Sequence, residues 1–141
     1  MTALLALLNG FILAVLGLLH FYWAAGGRWG ITQAVPTDES GKRVLKTSPL
    51  ACIIVGVALS GFALYYFSTG FGFSLHLPYG KEKWGIWVLV FLFTARAIGD
   101  FRYVGFFKKL KNTQFGKQDT WVYAPLCLYL GFSSLMIAIF R

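Results

Sequence analysis

The stretch ALLALLNGFILAVLGLLHFYWAA, residues 3–25, contains no charged side chain. A helix needs about 20 mostly apolar residues to cross the hydrocarbon core of a bilayer. Three further runs meet this criterion, and they cover residues 49–67, 84–107 and 121–140. The sequence therefore predicts an all-α integral membrane protein, in which residues 1–141 form a single domain with four transmembrane helices.

Composition supports a membrane protein and argues against nucleic-acid binding. Hydrophobic residues make up 57% of the chain and charged residues 13%, whereas about 25% of an average soluble domain is charged. The net charge is +8, but the basic residues flank apolar runs and do not form the basic face of a soluble module. Such residues attract anionic headgroups, so membrane lipids are the predicted partners.

The positions of Lys and Arg predict the orientation of the helices. The first loop has four basic residues and the third has five, counting Arg102 near the end of the third run; these nine compare with Lys81 and Lys83 in the second loop and Arg141 at the C-terminus. Basic loops face the cytoplasm, so both termini are predicted to be extracytoplasmic. Short loops favour an antiparallel up-down bundle. The nine residues are Arg28, Lys42, Arg43, Lys46, Arg102, Lys108, Lys109, Lys111 and Lys117.

Residue patterns also predict helix starts and close contacts. Ser48 can cap the second helix with Pro49 in its first turn. Thr120 can cap the fourth helix, where Asp119 is predicted to be a capping carboxylate and Pro125 to bend the helix. Small residues four positions apart predict close helix packing at 10 and 14, 56 and 60, and 95 and 99.

Arg96 and Asp100 are the most unusual residues of the third run. They are four positions apart and share a helix face with Tyr103, while Arg102 lies beside it. Charged residues within a membrane span usually face the bundle interior or a cavity, which favours a functional site. The alternative is a structural ion pair near the inner interface, where Arg102 and Lys108 extend toward water.

The end of the first run is rich in polar, aromatic and glycine residues. The predicted orientation places His20 at the depth of Arg96 and Asp100, where it can exchange protons near neutral pH. Trp23 and Trp29 could instead be ordinary interfacial aromatics. The alternative is that the two regions share one pocket in the inner leaflet, and its predicted ligand-binding residues are His20, Tyr22, Trp23, Arg28, Trp29, Arg96, Asp100, Arg102 and Tyr103.

Other chemical motifs are not evident in the sequence. Cys52 and Cys127 lie far apart in apolar runs, with no CxxC pair and no metal-ligand spacing. We find no nucleophile paired with a base and no phosphate-binding loop. The sequence therefore predicts no metal or cofactor, and it leaves open both enzymatic activity and the proximity of the two cysteines.

Three stretches together with Pro36 carry a family resemblance: HFYWAAGGRWG at 20–30, TARAIGDFRYVGFFKK at 94–109 and TQFGKQDTWVYAPLCLYLG at 113–131. They resemble a family of small four-helix bacterial membrane proteins catalogued as a domain of unknown function. The resemblance implies a four-helix fold in a bacterial inner membrane, but no activity. Its motif-like positions are His20, Trp23, Gly26, Gly27, Trp29, Gly30, Arg96, Gly99, Asp100, Arg102, Asp119 and Pro125.

Three functions remain compatible with the sequence. The first is a pocket at the cytoplasmic leaflet that binds, and could transform, a lipid-like amphiphile whose anionic or polar head contacts Arg96, Arg28 and Arg102. The second is a proton-linked transporter or channel subunit using His20, Arg96 and Asp100, for which a homo-oligomer would supply a wider path. The third is a non-catalytic accessory or immunity-like membrane protein.

Overall fold

The computed structural model describes residues 1–36, 38, 40–43, 48–73, 82–99 and 104–140, with only the backbone for 82 and 83. This part of the chain contains helices and no β-strand, which confirms the all-α prediction. Three of the predicted ligand-binding residues lie outside the described residues, namely Asp100, Arg102 and Tyr103. The same holds for the topology residues Lys46, Lys81 and Arg141.

Five helices make up the described fold. They are α1 (Thr2–Ala24), α2 (Ile31–Ala34), α3 (Pro49–Phe71), α4 (Glu82–Ile98) and α5 (Gln114–Phe140). Of these, α1, α3 and α5 are long and apolar enough to cross a membrane, whereas the apolar part of α4, Trp84–Ile98, is shorter. The chain is therefore a helical membrane protein, and a fourth span stays a prediction.

The N-termini of two long helices are fixed by side-chain caps. Ser48 accepts a hydrogen bond from the Ala51 N–H at 3.1 Å, which confirms the predicted start of α3. Thr113 caps α5 by accepting from the Gly116 N–H at 2.9 Å. The predictions that Thr120 caps this helix and that it begins at 121 are therefore wrong.

The C-terminus of α4 also differs from the prediction. The helix ends at Ile98, and Gly99 follows with a left-handed φ of 86°. Residues 104–113 are not helical, so the predicted continuation to Phe107 is wrong. The reason is that a residue with positive φ cannot continue a right-handed helix.

Close packing of small residues joins α1 to α3. A methyl group at Gly10 would lie 2.9 Å from the Phe67 ring, and one at Gly17 would lie 3.0 Å from the Ser60 hydroxyl. Later residues of α1 thus meet earlier residues of α3, so these two helices run in opposite directions. α4 packs mainly along α5, and α1 joins the two pairs through α5. The predicted close approaches at Gly10 and Ser60 are confirmed.

A buried polar layer crosses the apolar core. Asn9 of α1 donates to the Ser133 hydroxyl at 2.8 Å, and the Tyr66 hydroxyl of α3 bonds to Ser134. All four side chains are buried. Such hydrogen bonds contribute about 0.6 kcal/mol each in membrane helix bundles. The layer therefore joins three helices, and it was not predicted.

Candidate functional site

The Asp119 carboxylate is the centre of a buried ionic cluster. Its Oδ1 accepts from Nη2 of Arg96 at 2.9 Å, and its Oδ2 accepts from Nζ of Lys108 at 2.9 Å. Oδ2 also accepts from the Gly105 N–H at 2.7 Å. Because Asp119 is completely buried and lies inside α5, the prediction that it caps a helix is wrong.

The Lys108 ammonium group has three hydrogen-bond acceptors inside the protein. It donates to Asp119, to the Gly105 carbonyl at 3.0 Å and to the Thr120 hydroxyl at 2.6 Å. The side chain is 0% exposed. The alternative in which Lys108 extends to the membrane surface is therefore wrong, because three acceptors hold it in the interior.

Two glycines fold the chain so that Lys108 reaches Asp119. Gly99 and Gly105 both have left-handed φ values, 86° and 87°, and their backbones are in contact. A methyl group at Gly105 would clash with the Ile98 carbonyl oxygen. The Phe106 N–H donates to the Ala97 carbonyl at 3.0 Å, so the segment after Gly105 folds back on the end of α4.

Asp119 also begins a π-helical turn, Asp119–Tyr123, within α5. The Ala124 N–H donates to the Asp119 carbonyl, five residues back. The next residue, Pro125, has no N–H to continue the α-helical pattern. A wider turn, a feature often found at functional sites, thus directly precedes Pro125, where a bend was predicted.

The described part of the cluster carries excess positive charge. Arg96 and Lys108 face one carboxylate, and Nη1 of Arg96 is buried without a hydrogen-bond partner among the described residues. The Arg96 side chain is 34% exposed. Its described ionic partner is Asp119, and the predicted pairing with Asp100 falls outside the described residues.

The segment after α1 is held by local contacts. Nδ1 of His20 donates to the Leu16 carbonyl at 2.8 Å, and the His20 ring packs edge-to-face on Trp23. Nε1 of Trp23 donates to the Trp29 carbonyl at 2.8 Å. The Tyr22 ring covers Gly27, and Arg28 is exposed. Within the described residues, no hydrogen bond or ion pair joins His20 to the ionic cluster.

A cleft of about 290 Å³ lies between this segment and the first turns of α5. We call it the aromatic cleft, and it is lined by Leu19, Trp23, Trp29, Gly30, Gln33, Gln118 and Tyr123. Trp23 and Trp29 were predicted ligand-binding residues, whereas Gln33, Gln118 and Tyr123 were missed. Tyr123 ends the π-helical turn that Asp119 of the cluster begins. The cleft and the cluster therefore share the π-helical turn.

The described residues offer no metal-binding group of three or more His, Cys, Asp or Glu side chains. Cys52 is buried and Cys127 is half-buried, and both are free thiols.

The fold and site define a small helical membrane protein with a buried Arg96–Asp119–Lys108 cluster. Residues 13–134 match the family described as "Protein of unknown function (DUF3995)". This match covers most of the chain, so the protein belongs to that family, and the resemblance seen in the sequence is confirmed. Neither a curated protein nor a solved structure matches the chain.

Proposed function

We propose that the protein binds an amphiphilic, lipid-like molecule in the aromatic cleft, at the cytoplasmic leaflet of a bacterial inner membrane. The observation that carries this proposal is the lining of the cleft. The rings of Trp23, Trp29 and Tyr123 offer apolar and π surface, and the amides of Gln33 and Gln118 offer hydrogen bonds. A mixed lining of this kind suits a molecule with an apolar chain and a polar head.

The ionic cluster supports the same proposal. It fixes the π-helical turn that carries Tyr123, because Asp119 is held by Arg96 and Lys108 from two other parts of the chain. The cluster thus orients one wall of the cleft.

The proposed orientation has four membrane-spanning helices with both termini outside. α4 packs along α5, so it lies at the same depth in the bilayer. Its 17 residues extend about 25 Å, close to the roughly 30 Å of the hydrocarbon core. A reporter active only outside the cytoplasm should be active when fused after Arg141 and inactive when inserted after Ser40. The reverse pattern would contradict this orientation.

Native mass spectrometry of gently extracted protein tests binding in the cleft. Trp29→Ala removes a ring that is 75% exposed, while its backbone carbonyl remains to accept from Trp23. Trp84→Ala removes a ring that is 70% exposed and does not line the cleft, so it is the matched control. We expect wild type and Trp84→Ala to retain the same bound amphiphile and Trp29→Ala to lose it. Equal retention by all three would refute the proposal.

The other two functions considered from the sequence have no specific support in the described contacts. The proton relay predicted through His20, Arg96 and Asp100 includes a residue outside the described ones, and Nδ1 of His20 bonds to its own helix. An accessory role requires a partner surface, for which the described residues give no particular candidate. We therefore propose amphiphile binding alone.

A further inference from the structure

The structure contains a second cleft, of about 400 Å³. It is bounded by the chain after α2 and by the segment that leads into α5. The two linings come from nearby residues of the same elements, since Thr32 lines the second cleft and Gln33 the first, and Gln114 lines the second and Gln118 the first. We call the second one the polar cleft.

Residues of opposite charge line the polar cleft. Lys109 and Lys111 line it together with Asp38. No ion pair joins Asp38 to either lysine in the described part of the chain. Among the described residues, one cavity is thus lined by a carboxylate and two ammonium groups that do not pair with one another, which suits a ligand that carries both signs of charge.

The Asp38 carboxylate is preorganised by its own turn. Its Oδ1 accepts from the Ser40 N–H at 3.0 Å, from the Ser40 hydroxyl at 2.6 Å and from the Lys42 N–H at 2.9 Å. The Ser40 hydroxyl, followed by the Lys42 amide, lowers the pKa of Asp38, so the carboxylate is ionised at neutral pH. These hydrogen bonds all use Oδ1, and Oδ2 stays available for a ligand within the described contacts.

We infer that the polar cleft binds a phosphate ester that carries an ammonium group, of the phosphoethanolamine class. Lys109 and Lys111 contact the phosphate oxygens, and Oδ2 of Asp38 accepts from the ammonium group. This inference rests on the proposed function, because the same molecule places its apolar chain in the aromatic cleft.

The relative depth of the two clefts fits such a molecule. Along α5, Gln118 lies about 6 Å deeper than Gln114, and Tyr123 lies about 13 Å deeper, at 1.5 Å per residue. The polar cleft is therefore on the water side and the aromatic cleft on the hydrocarbon side. A ligand with a zwitterionic head and an apolar chain therefore has its head in the polar cleft, on the water side, and its chain in the aromatic cleft, on the hydrocarbon side.

Competitive lipid retention tests the inference. The purified protein is exchanged into an equimolar mixture of phosphatidylethanolamine, phosphatidylcholine and phosphatidylglycerol with identical chains, and bound lipids are counted by native mass spectrometry. We expect about tenfold enrichment of phosphatidylethanolamine, because phosphatidylcholine has no N–H to donate to Asp38 and phosphatidylglycerol has no cation.

Variants that remove charges test whether the enrichment of phosphatidylethanolamine depends on the polar cleft. The double variant Lys109→Ala with Lys111→Ala should abolish it, and Asp38→Asn should shift retention toward phosphatidylglycerol. Lys117→Ala is the matched control, because this exposed lysine lies on the same face of the membrane but lines neither cleft. It should leave the enrichment unchanged.

Soluble O-phosphoethanolamine distinguishes a lipid from a free phosphate ester. If it displaces the bound lipid, the head alone is the ligand, and if it does not, the lipid is the ligand; both results support the charge complementarity. Equal retention of the three lipids by wild type, or unchanged enrichment in the double lysine variant, would overturn the inference. If Trp29→Ala still loses bound lipid in either case, amphiphile binding stands and only the headgroup assignment fails.

Discussion

Asp119→Asn should be the most damaging single substitution in the ionic cluster. The change keeps the size of the side chain but removes the charge that balances Arg96 and Lys108. Arg96 is partly exposed and can reorient, whereas the fully buried Lys108 ammonium cannot reach water. Loss of one partner of a buried pair costs about 3–5 kcal/mol. We expect a loss of that size in the free energy of unfolding, measured by reversible denaturation in mixed micelles.

Two further variants make this prediction specific. Adding Lys108→Met to Asp119→Asn removes the stranded ammonium, so the double variant should recover most of the lost free energy. Asp38→Asn removes a carboxylate from an exposed turn and should unfold almost like wild type. The reasoning is refuted if Asp119→Asn unfolds within about 1 kcal/mol of wild type, or if Lys108→Met gives no recovery.

Three further predictions concern the fold that positions the site. Gly105→Ala should destabilise the protein by more than about 1 kcal/mol in the same unfolding assay, because its φ is positive and a methyl group meets the Ile98 carbonyl. Gly72→Ala is the control and should lower the free energy of unfolding by less, because Gly72 has a positive φ but lies in open space. Asn9→Ala and Ser133→Ala should show a coupling energy of about 0.6 kcal/mol in a double-mutant cycle, and a coupling of zero would contradict their hydrogen bond. Thr113→Ala should cost about 1 kcal/mol, and an unchanged unfolding curve would argue against its role as the cap of α5.

The apolar helices could be predicted from the sequence because lipid imposes a length and a composition on each span. The start of α3 was predictable for a similar local reason, since Ser48 and Pro49 form a cap without help from the rest of the fold. The start of α5 was not, because Asp119 looks like a cap in sequence. Only the folded chain shows that its carboxylate points inward to Arg96 and Lys108.

The candidate site was predicted in part. Arg96 and the two tryptophans were identified because charge and aromatic residues near the end of an apolar run are unusual. Lys108 was misjudged because its burial depends on the left-handed glycines at 99 and 105, which reverse the chain. Asn9 in the first apolar run was a usable signal for the buried polar layer, since polar residues within a span often join helices.

Photolabelling tests amphiphile binding in the aromatic cleft most directly. The protein is extracted with a trace of lipid that carries a diazirine in its chain, irradiated, and digested to map the adducts. The proposed function predicts adducts concentrated at residues 19–33 and 118–123, which excess unlabelled lipid extract removes, and only weak labelling near the equally exposed Trp84. Uniform labelling of the lipid-facing helices, unchanged by competitor, would contradict it.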